Sequence, residues 1–139
     1  TVKYIDPDHL EVESIQDLSK ACTTDEDLFA NPTNIFFNHK TGKIVFLLHV
    51  LPKNNSIENA YTTAGQASPS DVMKTCKRSD GKYNTSAIQY SYDHSTNTIY
   101  GTEFAFAAGS HKIVSFNVDT GKQASYNFPD KEVQHVWVL

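Results

Sequence analysis

Residues 87–128 are the most regular part of the chain and constrain its fold most strongly. They read AIQYSYDHSTNTIYGTEFAFAAGSHKIVSFNVDTGKQASYNF, with aromatic and β-branched runs at 87–92, 98–106, 112–118 and 123–128. Asp93 and Asp119 can each hydrogen-bond the backbone two residues further on, and Asn97, Gly109 and Gly121 tolerate a positive φ. The pattern therefore predicts four antiparallel strands joined by short turns.

A related pattern occurs 55 residues earlier, because residues 34–48 can be aligned with residues 89–103. The alignment places Phe37 on Tyr92, Asn38 on Asp93, His39 on His94, Thr41 on Thr96, Gly42 on Asn97 and Ile44 on Ile99. Each copy is followed by a further turn, at residues 79–82 and 119–122. We therefore predict two four-stranded units, about 34–86 and 87–128, within a single domain covering residues 1–139.

Four-stranded units of roughly forty residues that repeat along a chain are typical of β-propeller blades. Residues 87–128 resemble such a blade, with an Ile-x-Tyr opening strand, an Asp-rich turn, Thr-x-Tyr-Gly and Phe-Asn-Val-Asp-Thr-Gly. The resemblance identifies an architecture and no particular family. It implies assembly or a larger ring, because propellers close with roughly four to eight blades and this chain has material for about three.

For a monomer of 139 residues, we predict an all-β fold, or a β-rich fold with one short helix, arranged as an antiparallel β-sandwich or barrel. One alternative is two to three propeller-like blades that assemble with copies of the chain or with a complementing chain. Another is an α+β fold, because Ile15, Leu18 and Cys22 have helical spacing and predict a short helix within residues 15–30, ended by Pro32.

The other elements follow from local patterns. Residues 2–5 and 10–14 predict a hairpin, and residues 34–51 predict two more strands, with the apolar run 45–51 buried on both faces. Residues 52–70 are rich in Asn, Ser, Thr, Ala and Gly and predict a long loop. Short strands are expected at 71–77 and 82–85, and a last strand at 133–139.

Charge and composition narrow the partners. The chain has 12 Lys and Arg against 16 Asp and Glu, a net charge of -4, without the cationic patch that phosphate-backbone binding requires. The longest apolar run is far shorter than the roughly 20 residues of a membrane span. We therefore expect no nucleic-acid partner and no membrane insertion, and the absence of a glycine-rich phosphate loop or calcium-loop motif predicts no cofactor.

Secretion is predicted from three observations. Cys22 and Cys76 form an even pair that a disulfide could join, and Asn54 and Asn84 each begin a glycosylation tripeptide. The sequence begins at Thr1, as it would after removal of a leader.

Catalytic residues are not evident as a motif. The six histidines include no pair at zinc-ligand spacing, so no metal site is predicted. A hydrolase or isomerase site would need His94 or His111 close to Glu103 or Asp93 in a barrel mouth or at the centre of a ring of blades.

The leading functional prediction is a secreted, non-enzymatic binding protein for a carbohydrate or protein ligand. Its contact surface would be the loop 52–70 and the hairpin tips, with Tyr61, Tyr83 and Trp137 as ligand-binding aromatics. The alternatives are the small hydrolase or isomerase and a fragment or subunit of a larger propeller.

Overall fold

A computed structural model describes residues 2–6, 11–16, 22–54, 59–82, 89–105, 110–128 and 138. For residues 2–6, 11–16, 103–105 and 110–111 the backbone alone is described. Within these ranges the chain forms β1 (Val2–Asp6), β2 (Glu11–Gln16), β3 (Asp27–Asn38), β4 (Lys43–Pro52), β5 (Tyr61–Ala67), α1 (Val72–Thr75), β6 (Lys77–Arg78), β7 (Gln89–Asp93), β8 (Thr98–Ala105), β9 (Ser110–Asn117) and β10 (Gln123–Phe128). No helix in the described part of the chain is long and apolar enough to cross a membrane.

Two antiparallel four-stranded sheets make up most of the fold. The first has the order β3-β4-β5-β6 and the second the order β10-β9-β8-β7, so each is a meander in which sequential strands are neighbours. β1 and β2 form a separate antiparallel hairpin, as predicted. The all-β prediction is confirmed, the α+β alternative is wrong, and across the described ranges the two sheets do not close into a barrel.

β4 supplies core residues to both faces of the first sheet. Alternate positions point to opposite faces of a strand, and here Phe46 and Leu48 belong to one apolar cluster while Val45 and Leu47 belong to another. The second cluster also contains Ile99 and Phe116 from the other sheet, so it lies between the two sheets. The prediction that this strand is buried on both faces is confirmed.

The two sheets meet along corresponding strands. Phe36 of β3 stacks on Tyr92 of β7 with ring centroids 5.2 Å apart, and these are the first strands of the two sheets. Further out, Gly81 lies against Gly121, where a Cβ atom added to Gly81 would be 2.7 Å from the Gly121 Cα. At this second contact the two backbones touch directly.

In residues 15–16 and 22–30, the described part of the range 15–30, the predicted helix is not formed. Ile15 ends up in β2 and residues 27–30 begin β3, while residues 17–21 lie outside the described part of the chain. Residues 24–27 make one turn, in which the Thr24 N–H donates to the Asp27 carboxylate at 2.9 Å. Pro32, expected to end the helix, lies within β3 beside a register shift, because pairing with β4 outweighs the local preference.

The loop predicted at residues 52–70 is wrong, since β5 occupies residues 61–67 and pairs with β4 along its length. Its small residues are explained by their neighbour: a Cβ atom on Gly65 would be 2.9 Å from the Phe46 ring. A side chain as large as Phe46 on one strand requires a small residue on the next.

The strand predicted at 71–77 is wrong over most of its length, and the strand predicted at 82–85 lies, apart from Lys82, outside the described part of the chain. Residues 72–75 form α1, because the Asp71 side chain caps it by accepting from the Lys74 N–H, and the fourth strand is β6 at 77–78. Residues 83–88, and residues 133–139 apart from 138, lie outside the described part. The four strands predicted for the second unit are all present.

The predicted disulfide is confirmed. Cys22 is bonded to Cys76, with a Cα–Cα distance of 5.4 Å and a sequence separation of 54. Such a loop is long enough for the crosslink to contribute about 4 kcal/mol in the chain-entropy model.

Candidate functional site

Three hairpin turns at one end of the two sheets share a local structure. Each begins with an Asx residue whose side-chain oxygen accepts the backbone N–H two residues further on. In the first and third turns the same oxygen also accepts the N–H three residues further on. Each turn ends at a residue with positive φ. The three turns run from Asn38 to Gly42, from Asp93 to Asn97 and from Asn117 to Gly121. The repeat seen in the sequence is therefore a repeat of turn chemistry.

A cleft of about 340 Å³ opens between the sheets at this end. It is bordered by the first two turns, by one residue each from β5 and β6, and by Asp119 of the third turn. Its cationic side chains are Lys40, Lys43 and Lys77, with His94 beside them. The other lining residues are amides, hydroxyls and one acid: Asn38, Thr41, Gln66, Ser95, Thr96, Asn97 and Asp119.

Strand register explains why residues so far apart in sequence line one cleft. Lys43 pairs with Asn38, and Lys77 pairs with Gln66, across neighbouring strands of the first sheet. Cross-strand partners share a face, and this is the face whose apolar residues pack on the second sheet. The cleft is the polar end of that inner face.

A chain of side-chain hydrogen bonds forms the floor of the cleft and links the two sheets. The Asn38 amide donates to the Tyr92 hydroxyl at 2.9 Å, which donates to the Asn97 Oδ1 at 2.6 Å. The Asn97 amide then donates to Gln66 at 3.4 Å, and the Gln66 amide donates to Asp119 at 3.0 Å. Because three of the five groups are held by two neighbours in this chain, the floor is fixed before any ligand arrives.

The electrostatics of the floor are set by the same contacts. Burial raises the pKa of the Tyr92 phenol, which therefore stays neutral and able to donate. The hydrogen bond from Gln66, aided by the Asn97 side chain, holds the pKa of Asp119 below its ordinary value, and the charges of Lys43 and Lys77 act in the same direction. Three lysines thus face one ionised carboxylate.

His94 and Asp93, two of the catalytic candidates, both lie at the second turn. His94 lines the cleft and its ring contacts that of His39 with centroids 5.4 Å apart, so the equivalent turn positions do meet. The Asp93 carboxylate accepts from Ser95 and Thr96, and those hydrogen bonds hold its pKa below the ordinary value. Asp93 therefore stabilises its own turn.

Glu103 and His111 lie away from the cleft. Both belong to the far ends of their strands, where Glu103 pairs with Lys112 and Phe104 with His111. Thr98, at the cleft end of β8, is five residues before Glu103, roughly 17 Å along a strand. The side chains of Glu103 and His111 are outside the described ones. In the described ranges no three His, Cys, Asp or Glu side chains come together as a metal site.

Tyr61, a ligand-binding candidate, begins β5 and takes part in a buried ionic cluster. Arg78 donates to both carboxylate oxygens of Asp27, at 2.6 and 3.2 Å, and also to the Cys22 carbonyl and the Tyr61 hydroxyl. The Lys82 ammonium lies 4.6 Å from the centre of the Tyr61 ring. These contacts tie Tyr61 into the structure beside the disulfide.

The remaining predicted site residues have varied positions. Tyr83, Trp137 and the glycosylation candidate Asn84 lie outside the described part of the chain. Asn54 is exposed in the turn after β4, where a glycan could be attached.

Several cleft residues were missed by sequence reasoning, chiefly Lys43, Gln66, Lys77 and Asp119. The turn repeat was the available signal, because Lys43 and Lys122 follow the same Thr-Gly pair in two of the turns. Gln66 and Lys77 could not be found that way, since one was assigned to a loop and the other to a misplaced strand. Comparisons of the chain with protein-family models, with curated proteins and with solved structures found no match.

Proposed function

We propose that this chain is a secreted, non-enzymatic binding protein whose inter-sheet cleft receives a polar ligand, with carbohydrate favoured over protein. The observation that carries the proposal is the lining: every residue that borders the cleft is polar or charged. A floor already held by its own hydrogen bonds loses little entropy on binding, which favours affinity.

The lining also bears on the class of ligand. Protein-protein contacts depend on buried aromatic and arginine anchors, whereas the cleft presents hydroxyls from Thr41, Ser95 and Thr96 together with amides and ammonium groups. Groups of this kind match a ligand dense in hydroxyls. Secretion is supported by the Cys22–Cys76 disulfide, since disulfides persist in oxidising compartments.

Filling the cleft tests this proposal. Thr41→Trp puts a large side chain into the lining, so binding to a panel of oligosaccharides should fall at least tenfold in microarray and calorimetric titrations, about 1.4 kcal/mol or more. Thr120→Trp is the matched control, because Thr120 holds the same position in the third turn and both threonine hydroxyls accept from the N–H two residues on. Equal loss in both variants, or no binding by the unaltered chain to any glycan or peptide, would count against the cleft.

A second candidate is that the chain is part of a larger propeller-like ring. It is supported by the side-by-side placement of β3 and β7, the first strands of two consecutive four-stranded meanders. On the face of the first sheet turned away from the second, Ile35 is 53% and Phe37 47% exposed, as expected where a preceding blade would pack. The mass of the assembly in solution tests this candidate.

A further inference from the structure

We infer that the ligand of the cleft is an acidic carbohydrate, one that carries sulfate or carboxylate groups on its sugar rings. The inference rests on the proposed function and adds the charge of the ligand. The charge of the cleft lining is opposite in sign to that of the whole chain.

The chain as a whole is acidic, yet the cleft is basic. The net charge is -4, while Lys40, Lys43 and Lys77 face the single carboxylate of Asp119 in the cleft. Like charges brought together this way repel one another at a cost to stability unless a counter-ion is present. Fields within a cleft are focused by its walls, so an anionic ligand would be attracted there in spite of the overall charge.

The one carboxylate in the cleft does not neutralise this arrangement. The hydrogen bond from Gln66 at 3.0 Å holds Asp119 in the floor and leaves its charge unchanged, so Asp119 offsets one of the three lysine charges and an excess of two positive charges remains in the lining. Each ammonium group offers an incoming anion three donors without an acceptor. Sulfate and carboxylate oxygens are the matching acceptors.

Carbohydrate is favoured over an acidic peptide because of the rest of the lining. Thr41, Ser95 and Thr96 bring hydroxyls to the same cleft, and such groups both donate and accept, as ring hydroxyls do. A peptide would bring apolar side chains together with its backbone, and no residue of the lining is apolar. At about 340 Å³ the cleft is at the small end of ligand sites, so it would hold a short part of a chain.

Titration with defined probes tests the inference. The probes are a sulfated tetrasaccharide derived from heparin, the neutral tetrasaccharide chitotetraose and an acidic hexapeptide of glutamate, each measured by calorimetry. The sulfated probe should bind best, and its affinity should fall as salt is raised from 50 to 300 mM, because exposed charge pairs are screened.

Two lysine variants provide the decisive test. Lys43→Gln and Lys77→Gln should each weaken binding of the sulfated probe by about two- to fivefold, the range for an exposed charge pair, and together by about tenfold. Lys122→Gln is the matched control, since it makes the same charge change after the same Thr-Gly pair and Lys122 is outside the cleft. It should leave the affinity unchanged.

Each other outcome overturns the inference. Equal binding of the neutral and sulfated probes would remove the acidic requirement while leaving the proposed function in place. Stronger binding of the glutamate peptide would show the wrong class of ligand, and equal losses in Lys43→Gln and Lys122→Gln would indicate a diffuse charge effect. If none of the three probes binds, the inference fails, and the Thr41→Trp experiment on the wider panel decides the proposed function separately.

Discussion

The Asp27 carboxylate is only 5% exposed, and its burial is stabilised by an ion pair with one partner, Arg78. Burial alone would raise the pKa of Asp27, but the hydrogen bonds and charge of Arg78, together with the Thr24 N–H, hold it below the ordinary value. The contribution of Asp27 to stability is therefore present above about pH 4 and is lost as the pH falls through the native pKa.

Removing the partner should reverse this dependence. In Arg78→Leu the buried Asp27 loses its guanidinium, and we expect a loss of about 3–5 kcal/mol at neutral pH, typical of a broken buried pair. Burial would then raise the pKa of Asp27. The free energy of unfolding of the variant should therefore fall as the pH rises from about 4 to 7, whereas that of the unaltered protein should not.

Urea unfolding at pH 4, 5.5 and 7 measures both effects. Lys82→Leu is the control, because Lys82 lies over the same Tyr61 ring but is exposed, and a change within about 0.5 kcal/mol is expected there. A loss in Arg78→Leu that does not change with pH would show that Asp27 is not held by this pair.

At the scale of strands and turns, two kinds of glycine perform different tasks. Gly42 has a φ of +71° with nothing within 4 Å of an added Cβ, so its requirement is conformational. Asn97 meets the same requirement at the equivalent position, with a φ of 53°. Gly81 is different, because its requirement comes from another element: an added Cβ would be 2.7 Å from the Gly121 oxygen and from the Phe116 ring.

Gly81→Ala should therefore destabilise the packing of one sheet on the other. The backbone of Gly121 cannot move aside as a flexible side chain would, and overpacking of this kind costs about 1–3 kcal/mol. Gly42→Asn is the control and should change stability by less than about 1 kcal/mol, since Asn tolerates this conformation. Thermal or urea unfolding of both variants makes the comparison, and a neutral Gly81→Ala would contradict the close approach of the two backbones.

At the scale of the whole molecule, the outer face of the first sheet carries exposed apolar side chains. β3 is an edge strand of 12 residues, and long edges with apolar side chains favour association. Ile35 and Phe37 lie beside buried Phe46 and Ile44 in the register of β3 and β4, so they extend the apolar cluster on that face to the surface.

If the chain forms a closed ring with copies of itself, light scattering should give a mass of two or three times 15.5 kDa. The double variant Ile35→Asn and Phe37→Asn should shift the population to single chains, because it removes apolar area from the contact. A far-UV circular dichroism spectrum like that of the unaltered protein would show that the variant stays folded. A single-chain mass for the unaltered protein at about 100 μM, well above the dissociation constants of stable assemblies, would contradict self-assembly.

The sequence predicted what depends on neighbouring residues. Turn residues act locally, so all four strands of the second sheet and the β1–β2 hairpin could be derived from the sequence. The apolar run of β4 likewise indicated burial on both faces, and the two cysteines indicated their bond.

Tertiary structure decided what depends on residues that are distant in sequence. The segment at 61–67 resembles a loop because its residues are small, and it is a strand because Phe46 fills the space above Gly65. Asp27 lies in the range predicted to be helical, but it begins β3 and pairs with Arg78, 51 residues away. The cleft is the largest such case: Lys43, Lys77 and Asp119 meet only because strand register and sheet packing bring them together, and no local pattern carries that information.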